Sequence, residues 1–182
     1  MVAGHMDEIG FIVTEITKEG YVKFIPAGGW WGHVVLSQQF TITCRNGKEV
    51  RAVVGSKPPH ILDAEEKKKV VELSDMYLDL GVANKQEAVD LGVAIGDMVT
   101  PFIESVELAN PKYLLAKAFD NRIGVALALE VLDNLQKANH PNTYFGVGSV
   151  QEEVGLRGAT TAAYKIEPDI GIALDVTIAN DY

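Results

Sequence analysis

The run GVGSVQEEVGLRGA, residues 146–159, carries an apolar, strand-like segment straight into two adjacent acids, Glu152 and Glu153. Neighbouring carboxylates repel, and carboxylates are rarely buried unless paired or bound to a cation. Other side chains of the same chemistry stand at comparable places. His5 and Asp7 are two residues apart, hence on one face of an extended segment. Asp120 lies where a strand-like run turns helical, and Asp175 stands at the end of a later strand-like run, next to last in PDIGIALDV. Ligands of open α/β sheets gather outside the carboxyl ends of the strands. Asp120, Glu152, Glu153 and Asp175 are all predicted at such ends, where four converging acids would be costly without a cation. One or two divalent metal ions resolve that cost.

Zn, Mn and Co accept carboxylate and imidazole donors. Adjacent acids on an extended segment point in different directions. One of Glu152 and Glu153 can therefore hold metal while the other faces a bound water as general base. A metal lowers the pKa of its water to roughly 7, where a carboxylate can take the proton. Asp7 could orient the His5 imidazole. Read one at a time, each acid is equally well a solvated or capping residue; the joint arrangement points to metal.

Two kinds of element would position these residues. IGFIVTEI, GYVKFIPA, QFTITC, EVRAVVG, MYLDLGV and GDMVTPFI read as short strands, with Asn46-Gly47 as a hairpin turn. They predict a small β-barrel over roughly residues 9–103. AEEKKKVVEL (64–73) reads as a short helix with a solvated charge run, and NKQEAVDLG as another with Asn84 as N-cap. Near residue 110 the pattern changes. YLLAKAFD is a strand, Asn121–Lys137 a heavily buried helix, TYFGVGSV a strand covered on both faces, ATTAAYK a helix and PDIGIALDV a second buried strand. Alternating strands and helices predict an α/β layer with a largely parallel sheet.

Composition narrows the function. A net charge of −9 without a basic patch argues against nucleic acid. The longest apolar run, GVALALEVL, is broken by Glu130 and too short to span a bilayer, and no basic amphipathic helix stands out, so no membrane role is expected. Cys44 is the only cysteine, and MVAGHMDEIG does not read as a signal peptide, so a cytoplasmic setting is the default. Cys44 itself reads as a small core hydrophobe.

At these residues the sequence resembles the M42 family of metallo-aminopeptidases, the glutamyl or deblocking aminopeptidase type, some members of which carry the label endoglucanase. The pieces are GHMDEIGF (4–11), AFDNRIG (118–124), QEEVGLRGA (151–159) and ALDVTIAND (173–181), with GSKPPH, GDMVTPF and PKYLLAKAFDNR between them. The resemblance implies a zinc-peptidase-like α/β catalytic domain, residues 1–8 and 104–182, with a β-barrel dimerisation domain inserted at 9–103. It implies two metal ions, Zn, Co or Mn. His5 and Asp175 would ligate one, Asp120 would bridge both, and Glu153 would ligate the second. Glu152 would be the general base and Asp7 would hold His5. It further implies peptide substrates trimmed from the N-terminus, and dimers building a dodecamer. In the family a later histidine completes the second metal site. His33, His60 and His140 all precede Asp175, so the chain is expected to be a middle fragment, weak or inactive alone.

The remaining candidates have simpler readings. Trp30 and Trp31 suggest a loop anchored by aromatic burial or an interface, with His33 beside them. His60 reads as a surface-loop residue and His140 as a turn residue. Arg157 would neutralise charge near the Glu pair or bind a substrate carboxylate. Asn121 and Arg122 read as capping and ion-pairing residues, and Asp181 as a bare chain end. Two other functions compete: a glycoside hydrolase, prompted by the paired acids, and a non-catalytic oligomerisation module built on residues 9–103.

Overall fold

A computed structural model describes residues 1–180; Asp181 lies outside them. The chain divides into two compact units, Ile9–Glu104 and Met1–Glu8 together with the chain from Ser105 onward. It opens on strand β1 (Val2–His5), which belongs to the second of these.

Ile9–Glu104 is a closed six-stranded barrel with strands β2 (Gly10–Ile16), β3 (Val22–Ala27), β4 (Gln39–Thr43), β5 (Glu49–Gly55), β6 (Tyr77–Asp79) and β7 (Met98–Pro101), and helix α1 (Lys85–Asp90). The order around the barrel is β2-β3-β6-β5-β4-β7. Side chains alternate inward and outward along β4 and β5, as a pleated strand with one buried face requires. Phe11, Val13, Phe24, Phe40, Ile42, Leu78 and Val99 fill the interior. The Trp30 ring stacks on Phe11 with centroids 4.8 Å apart, and its indole N–H donates to the Gly10 carbonyl at 2.9 Å. Trp31 is exposed, so only the first tryptophan anchors the loop. Cys44 is a buried free thiol. Gly47, with φ 81°, makes the β4–β5 turn, and the Asn84 side chain accepts from the Glu87 N–H at the start of α1. The helix expected over 64–73 is not formed. That stretch makes two short 3-10 turns, Glu66–Lys68 and Leu73–Asp75. Its charges pair locally, Lys57 with Glu66 and Lys68 with Glu65, and only Val71 and Leu73 pack against the core, at a spacing that makes no helical face.

The other unit is α/β. After β1 come β8 (Val106–Glu107), β9 (Leu114–Leu115), α2 (Phe119–Leu135), β10 (Gly146–Ser149), α3 (Arg157–Ile166) and β11 (Ile172–Ala173). β1 is the central strand of a parallel sheet ordered β10-β1-β11, while β8 and β9 form a separate antiparallel pair. Because β1, β10 and β11 run parallel, their carboxyl ends all face one side. α2 lies close against β1: a Cβ on Gly4 would come within 2.6 Å of the Val125 backbone nitrogen. Contrary to the sequence expectation, α2 is not heavily buried. Only Asn121, Gly124 and Ala128 are buried, and Leu127, Leu129, Val131 and Leu132 are exposed. β10 and β11 likewise have little buried surface. Apolar periodicity reports which faces favour burial, and among the described residues nothing covers these.

Replacing Gly4 by valine should force β1 and α2 apart. The expected cost is about 1–3 kcal/mol, read as a lower midpoint in denaturant unfolding, with β1 carrying His5 along with it.

Candidate metal centre

His5 ends β1 and is the pivot of the site, only 2% exposed. Its Nδ1–H donates to the Asp7 backbone carbonyl at 3.1 Å, which turns Nε2 toward the acids. Around Nε2 stand Asp120 Oδ1 at 3.0 Å, Glu152 Oε2 at 3.6 Å and Asp175 Oδ1 at 4.0 Å. Glu153 joins the same cluster, with donor atoms of His5, Glu152 and Glu153 all within 4.8 Å of one another, as are those of His5, Asp120 and Asp175. All six sequence candidates are therefore brought into one neighbourhood.

Each carboxylate arrives from a different element. Asp120 sits at the start of α2, where its own backbone and that of Asn121 are non-helical and their peptide bond is cis. Glu152 and Glu153 follow β10, and Asp175 follows β11. Asp7 does something the sequence did not suggest. Its carboxylate lies 3.5 Å from His5 Nδ1, but its two oxygens accept the backbone N–H groups of Glu152 and Glu153 at 3.1 and 3.2 Å. It thereby ties the β1 end to the β10 end. Asn121 plays the matching part on the other side. It is 1% exposed; its Nδ2 donates to the Leu174 carbonyl at 2.6 Å, and its Oδ1 accepts the Gly124 N–H at 3.0 Å. The capping role expected for Asn121 is present, and the link to the residue before Asp175 comes in addition. Glu8 and Lys117, which the sequence reading passed over, pair nearby. The only signal for them was their place inside the HMDE and AKAFD runs.

Other candidates stand apart from this cluster. Arg157 opens α3, and among the described residues it makes no ion pair. His140 donates from Nδ1 to the Asn142 carbonyl in a turn. His33 meets the Trp31 ring edge-on, and His60 lies exposed in a 3-10 turn.

The electrostatics follow from the crowding. Burial pushes the His5 pKa down, but the Asp7 carbonyl and the charges of Glu152, Asp7 and Asp120 outweigh it, and the net shift is upward. Glu153 is pushed up as well, first by burial and then by the Asp120 charge. Protons are thus retained where a cation is favoured. Donors bonded to one ion at about 2.0–2.2 Å stand roughly 3–4 Å from each other. The 3.0, 3.6 and 4.0 Å separations around Nε2 have that size, so these residues fit a divalent ion.

A parallel sheet whose strand ends gather one histidine and several carboxylates is an α/β arrangement compatible with a metal centre. More narrowly, the chain belongs to the M42 glutamyl aminopeptidase family, which residues 1–182 match. It is 41% identical to the glutamyl aminopeptidase of Lactococcus lactis over 182 residues, which is 100% of this chain and 51% of that protein. The TET aminopeptidase from a marine-sediment archaeon, Thaumarchaeota archaeon SCGC AB-539-E09, superimposes with a TM-score of 0.95 at 44% identity, over 99% of this chain and 51% of that one. The Pyrococcus horikoshii TET1 peptidase, described as able to assemble into a tetrahedron or a large octahedral shell, matches with a TM-score of 0.79 at 30% identity, over 95% and 51%. The chain spans about half the length of the relatives it matches.

Both raised pKa values have the same consequence for the metal-free protein. A folded state that holds a proton more tightly than the unfolded chain is favoured at low pH and loses that advantage as pH rises through its own pKa. Stability without metal should therefore fall from above pH 4.5, where unfolded Glu153 ionises, to beyond pH 6.5, where unfolded His5 deprotonates. Metal affinity should climb over the same range, since the ion displaces these protons. Denaturant unfolding in chelator across that range checks the first. Glu153→Gln is expected to flatten its lower part and His5→Gln its upper part.

Proposed function

We propose that this chain carries the metal-binding centre of an aminopeptidase that removes N-terminal residues from peptides. The observation that carries the reading is the set of three carboxylates, from three separate strand or helix ends, within 4.0 Å of the single buried Nε2 of His5. The family supplies the reaction class.

In this reading the residues would hold two divalent ions, Zn, Co or Mn, with His5 and Asp175 serving one, Glu153 the other, and Asp120 available to both. A bound ion supplies an acidified water and a polarised carbonyl. Glu152 supplies the proton traffic. Its carboxylate, 3.6 Å from His5 Nε2, accepts a proton from the attacking water at Oε2 and returns it to the leaving amine. Asp7 keeps Glu152 and Glu153 in place by accepting their N–H groups, so the base and the ligand are aimed by one carboxylate. Asp120 and Asp175 are 59% and 51% exposed, which leaves this site open to water. Electrostatic catalysis depends on excluding water, so the 182-residue chain alone is expected to turn over weakly.

We infer a homo-oligomer, a dimer building a dodecamer, from the likeness to peptidases described as tetrahedral or octahedral shells. A cytoplasmic setting suits Cys44, a thiol whose pKa is raised mainly by burial and which is inert there.

Glu152→Gln should keep Co²⁺ affinity within about threefold and, in a protein with measurable turnover, lower kcat by about 10²–10⁴. Asp120→Asn should lose metal binding itself. Calorimetric titration beside an aminopeptidase assay separates the two. Full activity in Glu152→Gln would overturn the base assignment, and undiminished Co²⁺ binding in Asp120→Asn would overturn the metal reading.

A further inference from the structure

The Asp120 carboxylate is the nearest acid to His5, yet little in its own element holds it. Ala118, two residues before it, has a left-handed backbone with φ 59°, and Asp120 and Asn121 have non-helical φ and ψ. The side chain is more than half exposed. What fixes this segment comes from outside the helix. On one side Asn121 binds the Leu174 carbonyl. On the other stands Glu8, the last residue of the HMDE run, with a side chain only 11% exposed.

Glu8 Oε1 accepts from Lys117 Nζ and, at 3.4 Å, from Arg122 Nη2. The Arg122 Nε–H donates to the Met6 carbonyl at 3.1 Å. Lys117 lies three residues before Asp120 and Arg122 two after it. Both sides of Asp120 are thereby tied to the Met6–Glu8 stretch, in which Asp7 binds His5 and the Glu152–Glu153 backbone. A mostly buried carboxylate needs such partners, and one that holds two cations differs from an exposed surface pair, which contributes little.

We propose that Glu8 is a positioning residue for the metal centre: through Lys117 and Arg122 it sets where the Asp120 carboxylate stands relative to His5 Nε2. The inference rests on the metal reading above and adds residues to it.

The alternative is that Lys117 and Arg122 only temper the negative field of the site, and the two ideas predict opposite signs. Removing a cation beside a metal site should tighten cation binding if only the field matters. It should weaken binding if the cation holds a ligand, by about tenfold or more. The test is calorimetric titration of the 182-residue chain with Co²⁺, comparing wild type with Lys117→Gln and Arg122→Gln. The visible absorption of bound Co²⁺ and hydrogen exchange of residues 117–122 in the metal-free protein are followed alongside. Expected are weaker Co²⁺ binding, an altered spectrum and faster exchange in the glutamine variants, with Lys117→Arg close to wild type. Unchanged or tighter binding in both glutamine variants overturns the proposal. A wild-type chain that binds no Co²⁺ sinks the metal reading instead. Exchange then decides the clamp: faster in the variants supports it, unchanged overturns it.

Discussion

Mutual repulsion among carboxylates is the constraint on which the α/β unit turns. Five acids, Asp7, Asp120, Glu152, Glu153 and Asp175, gather about one buried imidazole. Such a gathering is stable only if each acid is held by something other than its neighbours' charges. Neutral hydrogen bonds fix the segments that carry these acids, and a cation would offset the charge that remains. Backbone N–H groups of Glu152 and Glu153 satisfy Asp7, the Asn121 amide bridges α2 and the Leu174 carbonyl, and the Asp7 carbonyl takes the His5 ring proton. The Asp7 and Asn121 bonds join different elements around the centre, so ligand geometry and sheet geometry are one arrangement.

The parallel sheet makes that arrangement possible with few residues. Three strands running the same way deliver three chain ends to one side, and β1 in the middle places His5 between the Glu pair and Asp175. α2 brings the fourth group by packing closely on β1, which the absence of a Cβ at Gly4 permits. The unit achieves this although much of its apolar surface, on α2 above all, remains exposed. Its precision therefore comes from short polar ties more than from a large core of its own. The barrel, by contrast, is held by interlocking aromatic and β-branched side chains, with Phe11 in contact with Phe24, Trp30 and Phe40.

Much of this was legible in the residues. The acids at strand ends could be found because carboxylates after apolar runs are anomalous, and the barrel because its strands alternate and its turns carry Asn-Gly. The charged stretch 64–73 misled, because helix propensity without a face to bury does not make a helix. The buried helix and covered strands of the α/β unit misled in the opposite sense, since periodicity states a preference and not what satisfies it. Asp7 stands beside the imidazole as expected, its carbonyl taking the His5 ring proton, and its carboxylate in addition accepts from the Glu152 and Glu153 backbone. Asn121 gained a second role, and Glu8 with Lys117 went unread. Such long-range ties carry no local signature, because they depend on how segments from about fifty to nearly a hundred and fifty residues apart come to lie side by side.

The barrel's first and last strands, β2 and β7, are themselves paired, Phe11 opposite Val99 and Ile12 opposite Met98. The chain thus enters and leaves the barrel at adjacent points. To the α/β unit, the long excursion between Glu8 and Ser105 behaves, once folded, like a tight turn. Left unfolded, a loop of that length would cost roughly 4 kcal/mol or more to close. A folded barrel returns the chain next to where it entered and so removes that closure cost from the pairing of the segments on either side of it.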